Sequence, residues 1–169
     1  MDLARFIGGV LARWRNSPSS EANNGDSRRE TRSAFRDSRI QPQAAHLELG
    51  QRGEELAARY LRCHGHRVLY RNFRAPQGGE VDLVCRDTRH GELVFVEVKT
   101  RSSEDFGRPA EAVNLKKQRL IIRGAMRWLQ LLSMPDITYR FDIVEVVIGP
   151  PLEIRHWENA FHVSDLSTY

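Results

Sequence analysis

Seven residues near the middle of the chain, Leu93-Val94-Phe95-Val96-Glu97-Val98-Lys99, constrain its fold more than any other stretch. A run of β-branched and aromatic residues is a buried strand. It ends in a carboxylate and an ammonium two residues apart, so both point to one face. Buried charges are costly unless they are paired or hold a metal. Of 26 basic residues only three are lysines, Lys99, Lys116 and Lys117. A chain this biased toward arginine that places lysine at a strand end needs a compact ammonium there, not a planar fork.

Just upstream, Gly79-Glu80-Val81-Asp82 opens a second strand. Strict alternation predicts Val81, Leu83 and Cys85 on one face, with Glu80, Asp82 and Val84 on the other. In the third strand Val94, Val96 and Val98 oppose Phe95, Glu97 and Lys99. A tight hairpin between the two strands places Asp82 beside Glu97. Adjacent carboxylates repel unless one is protonated or a cation lies between them. Hard oxygen ligands of this kind suit Mg²⁺ or Mn²⁺. A bound metal of this type makes a nucleophile of coordinated water, and Lys99 can orient that water or stabilise charge developing on a phosphate.

The spacing predicts a helix over 50–64, ended by Gly65. Glu54 is followed by Ala57, Ala58 and Leu61, which puts it on the buried face and makes it a third candidate acid. Glu55, followed by Arg59 and Arg62, lies on the wet face and can make a salt bridge along the helix. Further strands are expected at His66–Arg74, Glu80–Arg86, Glu92–Thr100, Thr138–Ile148 and, as a short fifth, Leu152–Trp157. A long helix spans Asn114–Leu132, with Ile121, Ala125, Trp128, Leu129 and Leu132 apolar. The order is αβββαβ, and the third strand, long helix and fourth strand fit a right-handed parallel crossover. This is an α/β domain with a mixed central sheet flanked by helices.

That domain occupies residues 46–169 and follows an arm over 1–45. Leu3, Phe6, Ile7, Val10, Leu11 and Trp14 recur at helical spacing, a short amphipathic helix that docks on a protein or membrane surface, folds back on the domain or forms a partly ordered tail. Residues 16–45 have almost no aliphatics and read as a disordered linker. The arm holds eight arginines against five acids, whereas residues 46–169 hold 18 basic against 17 acidic groups. Bulk charge is thus weak support for nucleic-acid binding. No apolar run approaches the roughly 18 residues of a membrane span. Cys63 and Cys85 form no metal-ligand pattern and fit a reducing cytoplasm.

Other side chains rank behind these. Arg101 and Arg108, in the loop after Lys99, are candidate phosphate contacts. Lys117 leans toward the sheet and is a candidate site cation. Glu80 either supports the site by a hydrogen bond or flanks the turn, and Arg140 and Asp142 suggest a structural ion pair. His64, His66, His90, His156 and His162 show no metal spacing.

Asp82, Glu97-Val98-Lys99 and Glu54 resemble the motif of the PD-(D/E)XK, or restriction-endonuclease-like, nucleases, Glu54 matching the helix acid of the archaeal Holliday-junction resolvase branch. Gly50-Gln51-Arg52-Gly53-Glu54-Glu55, Arg71-Asn72-Phe73-Arg74, Gly79-Glu80-Val81-Asp82-Leu83 and Phe95-Val96-Glu97-Val98-Lys99-Thr100-Arg101 look more closely like the YraN-like bacterial family. Phe106-Gly107, Ala112-Val113, Lys117, Arg140-Phe141-Asp142 and Asn159-Ala160-Phe161 continue the match in order. The resemblance covers roughly 48–163. It implies a restriction-endonuclease-like αβββαβ core and a metal-dependent DNA endonuclease, with branched or damaged DNA as candidate substrates. Asp82, Glu97 and the Val98 carbonyl would hold Mg²⁺ or Mn²⁺, with Glu54 as a further ligand, and Lys99 would position water. A four-way substrate would suggest a homodimer. The competing expectation is a nucleic-acid-binding module of the same fold without turnover.

Overall fold

The computed structural model describes residues 42–76, 78–102, 113–134 and 136–166. The arm helix over 3–14, the linker up to residue 41 and Arg108 lie outside the described residues. Helix α1 spans Pro42–Cys63, strand β1 His66–Arg74, β2 Glu80–Asp87, β3 Leu93–Arg101, helix α2 Leu115–Leu131, β4 Tyr139–Val147 and β5 Glu153–Phe161, followed by a 3₁₀ turn at Val163–Leu166. Helix α1 thus starts eight residues before the predicted Gly50. Proline at its first residue fits, because a first-turn N–H has no partner inside the helix.

The five strands form one sheet in the order β1-β2-β3-β4-β5. Only β3 and β4 are parallel, Leu93 facing Tyr139 through Arg101 facing Val147, and α2 makes the crossover between them. The other neighbours are antiparallel. This is the expected mixed α/β core.

A helix covers each face. Ala57, Ala58 and Leu61 of α1 pack on Leu83, Cys85, Val94, Val96, Val144 and Val146. Ile121, Ala125, Trp128, Leu129 and Leu132 of α2 pack on Phe73, Phe95, Phe141, Ile143 and Phe161. The buried Trp128 ring meets Phe73 edge-on at 5.2 Å. Small residues on α1 let it lie close to the sheet, and aromatic ones fill the wider gap beneath α2. The small-residue seam tightens at Gly53, where a Cβ would fall 1.8 Å from the Thr100 hydroxyl and 2.8 Å from Thr100 Cβ.

Two strand expectations need correction. Val81 does not share a face with Leu83 and Cys85; it packs with Val84 and Phe73 on the α2 side. Opposite this step, between the Arg71↔Leu83 and Phe73↔Val81 pairs, Asn72 of β1 has φ +52°. Strand β5 also runs on to Phe161, past the predicted Trp157. It survives a register shift opposite Phe141/Ile143, where Asn159 takes φ +51° and its N–H donates to Asp142 Oδ1 at 3.0 Å. A side chain there replaces a lost ladder bond, so pairing resumes beyond the bulge.

Candidate active site

The same device builds the site. Ladder pairing between β2 and β3 stops at Leu83↔Val96, and beyond it the strands fork. Asp82 lies at the fork, and its Oδ2 accepts the Val98 N–H at 2.8 Å. Glu97 is 2% exposed and its Oε2 has no hydrogen-bond partner. Asp82, Glu97, Val98, Lys99 and Thr100 line a cleft of about 320 Å³, closed on one side by His46, Leu49, Gly50 and Glu54 of α1 and on the other by Lys117 of α2. The expected Asp82–Glu97 neighbourhood is therefore present. So is Glu54, and Lys117 belongs to the pocket wall itself.

Two ammoniums converge on one carboxylate oxygen. Lys99 Nζ lies 2.9 Å and Lys117 Nζ 3.2 Å from Glu97 Oε1. Lys117 also holds Glu80, whose other oxygen takes Arg74 at 2.7 Å. Glu80 is thus the support for Lys117 rather than a turn flank. The Asn114 side chain caps α2 by accepting from the Lys117 N–H at 2.9 Å, which fixes where the lysine leaves the helix.

The charges are unevenly satisfied. Burial, then the neighbouring Glu97 charge, pushes Asp82 up to about 7, against the pull of the Val98 N–H and Lys117. Desolvation works against charge on Lys117, but Glu80, Glu97 and Asp82 outweigh it and raise its pKa. The lysine therefore stays an ammonium while Asp82 titrates near neutrality. Shifts of this kind concentrate where charges are placed for chemistry.

Glu54 is anchored by Asn72, whose Nδ2 donates to Glu54 Oε2 at 2.7 Å. Among the described residues no three His, Cys, Asp or Glu side chains come together at metal-ligand spacing. The described donor set is Asp82 and Glu97 with the Val98 backbone between them. That suits Mg²⁺, which commonly uses one or two carboxylates and keeps several waters. The unpartnered Glu97 Oε2 and the protonation-prone Asp82 are the groups a cation would satisfy.

Other expected contacts fall elsewhere. Arg101 does not line the cleft; its Nε bonds Glu145 Oε1 at 2.9 Å, reaching two positions back along β4 from Val147, which it faces in the parallel register. Glu55 reaches across to Arg71 at 2.6 Å rather than along its own helix. Sequence reasoning gave no role to Asn72, Gly53 or Thr100. The signals were present: an asparagine able to take positive φ inside a strand, and a glycine inside a helix.

A mixed sheet between two helices, with an acid–acid–lysine set where β2 and β3 fork, defines a restriction-endonuclease-like domain. The chain belongs to the family described as "Uncharacterised protein family UPF0102", whose model matches residues 53–146, and this is the YraN-like family that the motifs resemble. Glu54, Asp82, Glu97, Lys99 and Lys117 all fall inside the match. It is 47% identical over 118 residues to a UPF0102 protein of Geobacter sulfurreducens, covering 69% of this chain and 90% of the relative. With a UPF0102 protein of Rhodococcus opacus it shares 46% identity over 121 residues, 70% of this chain and 99% of the relative. A third relative, from Symbiobacterium thermophilum, is 45% identical over 116 residues, 68% and 96% of the two chains. Among the described residues no helix is long and apolar enough to cross a membrane.

Proposed function

We propose that the cleft is the active site of a metal-dependent endonuclease that hydrolyses phosphodiester bonds of DNA, with branched or damaged DNA as the preferred forms. The observation that carries this reading is the pairing of Asp82 and Glu97. Two carboxylates share a buried fork, one with an unpartnered oxygen and the other pushed up to about 7, beneath two lysines. A structural ion cluster gains nothing from that imbalance.

Asp82, Glu97 and the Val98 carbonyl would hold Mg²⁺ or Mn²⁺, with Glu54 in reach of the same cleft. Such an ion supplies Lewis acidity and a lowered pKa for bound water. Lys99 sits two residues past Glu97 and orients the attacking water. Lys117, kept charged by Glu80, stabilises the phosphate as negative charge grows on it. Asn72 holds Glu54 in place from β1, and the Asp82–Val98 hydrogen bond keeps the fork open.

The test is a panel of linear, single-stranded, flapped and four-way DNA with Mg²⁺, Mn²⁺ or EDTA. We expect metal-dependent cleavage of at least one form, abolished by Asp82→Ala and by Lys99→Ala. Absence of cleavage across the panel, or cleavage indifferent to both substitutions, overturns the reading. A second reading, a binding module without turnover, is favoured by the two ammoniums that already neutralise Glu97. DNA binding with no cleavage under any condition would select it.

A further inference from the structure

Helix α2 has a second face that the cleft does not use. Its sequence, Leu115–Leu131, holds five basic residues and no acid. Lys117 turns into the cleft, while Arg119, Arg123 and Arg127 follow at four-residue spacing along one exposed stripe. Successive arginines are about 6 Å apart along the axis. Among the described residues none of the three has a carboxylate partner; Arg127 Nη1 bonds only the neutral Gln130 Oε1, at 3.0 Å. Several arginines elsewhere have carboxylate partners, Arg71 with Glu55, Arg74 with Glu80 and Arg140 with Asp87, Glu92, Asp142 and Glu158.

A groove of about 380 Å³ runs beside the stripe, between Arg123, Arg127 and Gln130 of α2 and the β1–β2 turn at Ala75, Pro76 and Gly78. Glycines let the turn sit this close. A Cβ on Gly79 would lie 2.6 Å from the Gly124 nitrogen, and one on Gly78 would lie 3.3 Å from Arg123 Nη1. The groove therefore has a backbone wall and a guanidinium wall, with no acid in either among the described residues.

Charge separation points the same way. Outside α2, residues 46–169 carry 13 basic against 17 acidic groups. The near-neutral total conceals one strongly basic helix on an otherwise acidic domain, a distribution that orients a polyanion.

We infer that Arg119, Arg123 and Arg127, with the glycine-walled groove, form a track for the phosphate backbone of duplex DNA along the exposed face of α2. The inference deepens the nuclease reading by naming the face on which the substrate lies. Guanidinium forks suit phosphate oxygens. The contacts are to backbone and carry no sequence preference.

The test uses the full chain and a labelled duplex in EDTA, so that binding is read without turnover. Affinity is followed by fluorescence anisotropy from about 50 to 200 mM salt. The triple variant Arg119→Gln/Arg123→Gln/Arg127→Gln is compared with Arg52→Gln/Arg59→Gln/Arg62→Gln, which removes the same charge from exposed positions of α1. The α2 variant should bind about ten-fold or more weakly at low salt, with a log–log salt slope shallower by about 2 to 3. The α1 variant should stay within about two-fold. Equal losses in the two variants, no loss in either, or no duplex binding by the unaltered chain overturns the track. Circular dichroism confirms that each variant is folded. A weakened α2 variant of a protein that never cleaves DNA keeps the track and rejects the nuclease. Cleavage with unchanged α2-variant binding does the reverse.

Discussion

The two ends of β3 each bury a knot of charge, and the knots differ in how they are satisfied. At the start of β3 and β4, Arg140 (5% exposed) bonds Asp142 at 3.1 Å, Asp87 at 3.1 Å and Glu92 at 2.7 Å. Asp142 also accepts His156 Nε2 at 2.9 Å and the Asn159 N–H at 3.0 Å. At the far end, Asp82 takes one backbone N–H and faces another carboxylate. Asp82 and Asp142 are both aspartates that replace a broken ladder bond. One is fully bonded within the protein, and the other is left wanting a cation.

The difference shows in the protons. Despite burial, hydrogen bonds from His90, Arg89 and Arg140 hold the Asp87 carboxyl well below the usual carboxylate range. Burial, with the neighbouring His156, lowers His66. Because a guanidinium only donates, His66 Nε2 accepts from Arg140, leaving a neutral ring with the proton on Nδ1. Asp87 lends stability that is lost as pH falls below the ordinary aspartate range, and His66 lends stability lost as pH falls below about 6.5. Asp82 has the opposite sign. Its folded pKa is raised, so its contribution is complete below about 4 and lost as pH rises toward 7. Acid loosens one end of the sheet and relaxes the other. A matched buried cluster acts as structure, and a mismatched one marks where a ligand completes the molecule.

The comparison can be broken most forcibly at Arg140. Arg140→Ala strands Asp87, Asp142 and the rim acids Glu92 and Glu158 around one vacated position and should cost about 3–5 kcal/mol in urea unfolding. A loss below about 1 kcal/mol would mean that the knot is not structural. At the other end the sign should reverse. Asp82→Asn keeps an acceptor for the Val98 N–H and removes the repulsion with Glu97. In EDTA it should gain about 1–2 kcal/mol at pH 8, with the gain vanishing toward pH 4. A variant no more stable than the parent at pH 8 would show that the fork is not frustrated. The smallest effect is expected at Glu92→Gln, a partly exposed rim position that keeps its oxygen for Arg140. A change near 0.5 kcal/mol or less separates the inner acids from the rim, and a larger one shows that Glu92 belongs to the knot.

Much of this site was readable from single residues. Glu54 was placed by three small or apolar neighbours at helical offsets, and Lys99 by its rarity and its position two past Glu97. Lys117 was visible as a helix-start cation, but its contact with Glu97 depends on how α2 crosses the sheet. Sequence places Arg101 only in the loop after Lys99, whereas the pairing of β3 with β4 brings it within 2.9 Å of Glu145. Strict alternation along β2 gives Val81 the face of Leu83 and Cys85, and no pattern of period two can foresee that the strand changes face there, opposite the left-handed Asn72 of β1. Gly53 was legible as a motif glycine without its reason, which is the Thr100 side chain lying against it.

Periodicity and residue type alone determined the order of the elements, the buried faces of both helices, and the acids and the lysine that meet, since these follow from local geometry and burial. Only the tertiary structure decided which end of β3 is satisfied, because hydrogen-bond partners such as Asn72 for Glu54, Glu145 for Arg101 and Asn159 for Asp142 come from strands distant in the chain. The stripe on α2 belongs to both. Its spacing is written in the sequence, but its lack of counter-charges is a property of what the fold brings near it.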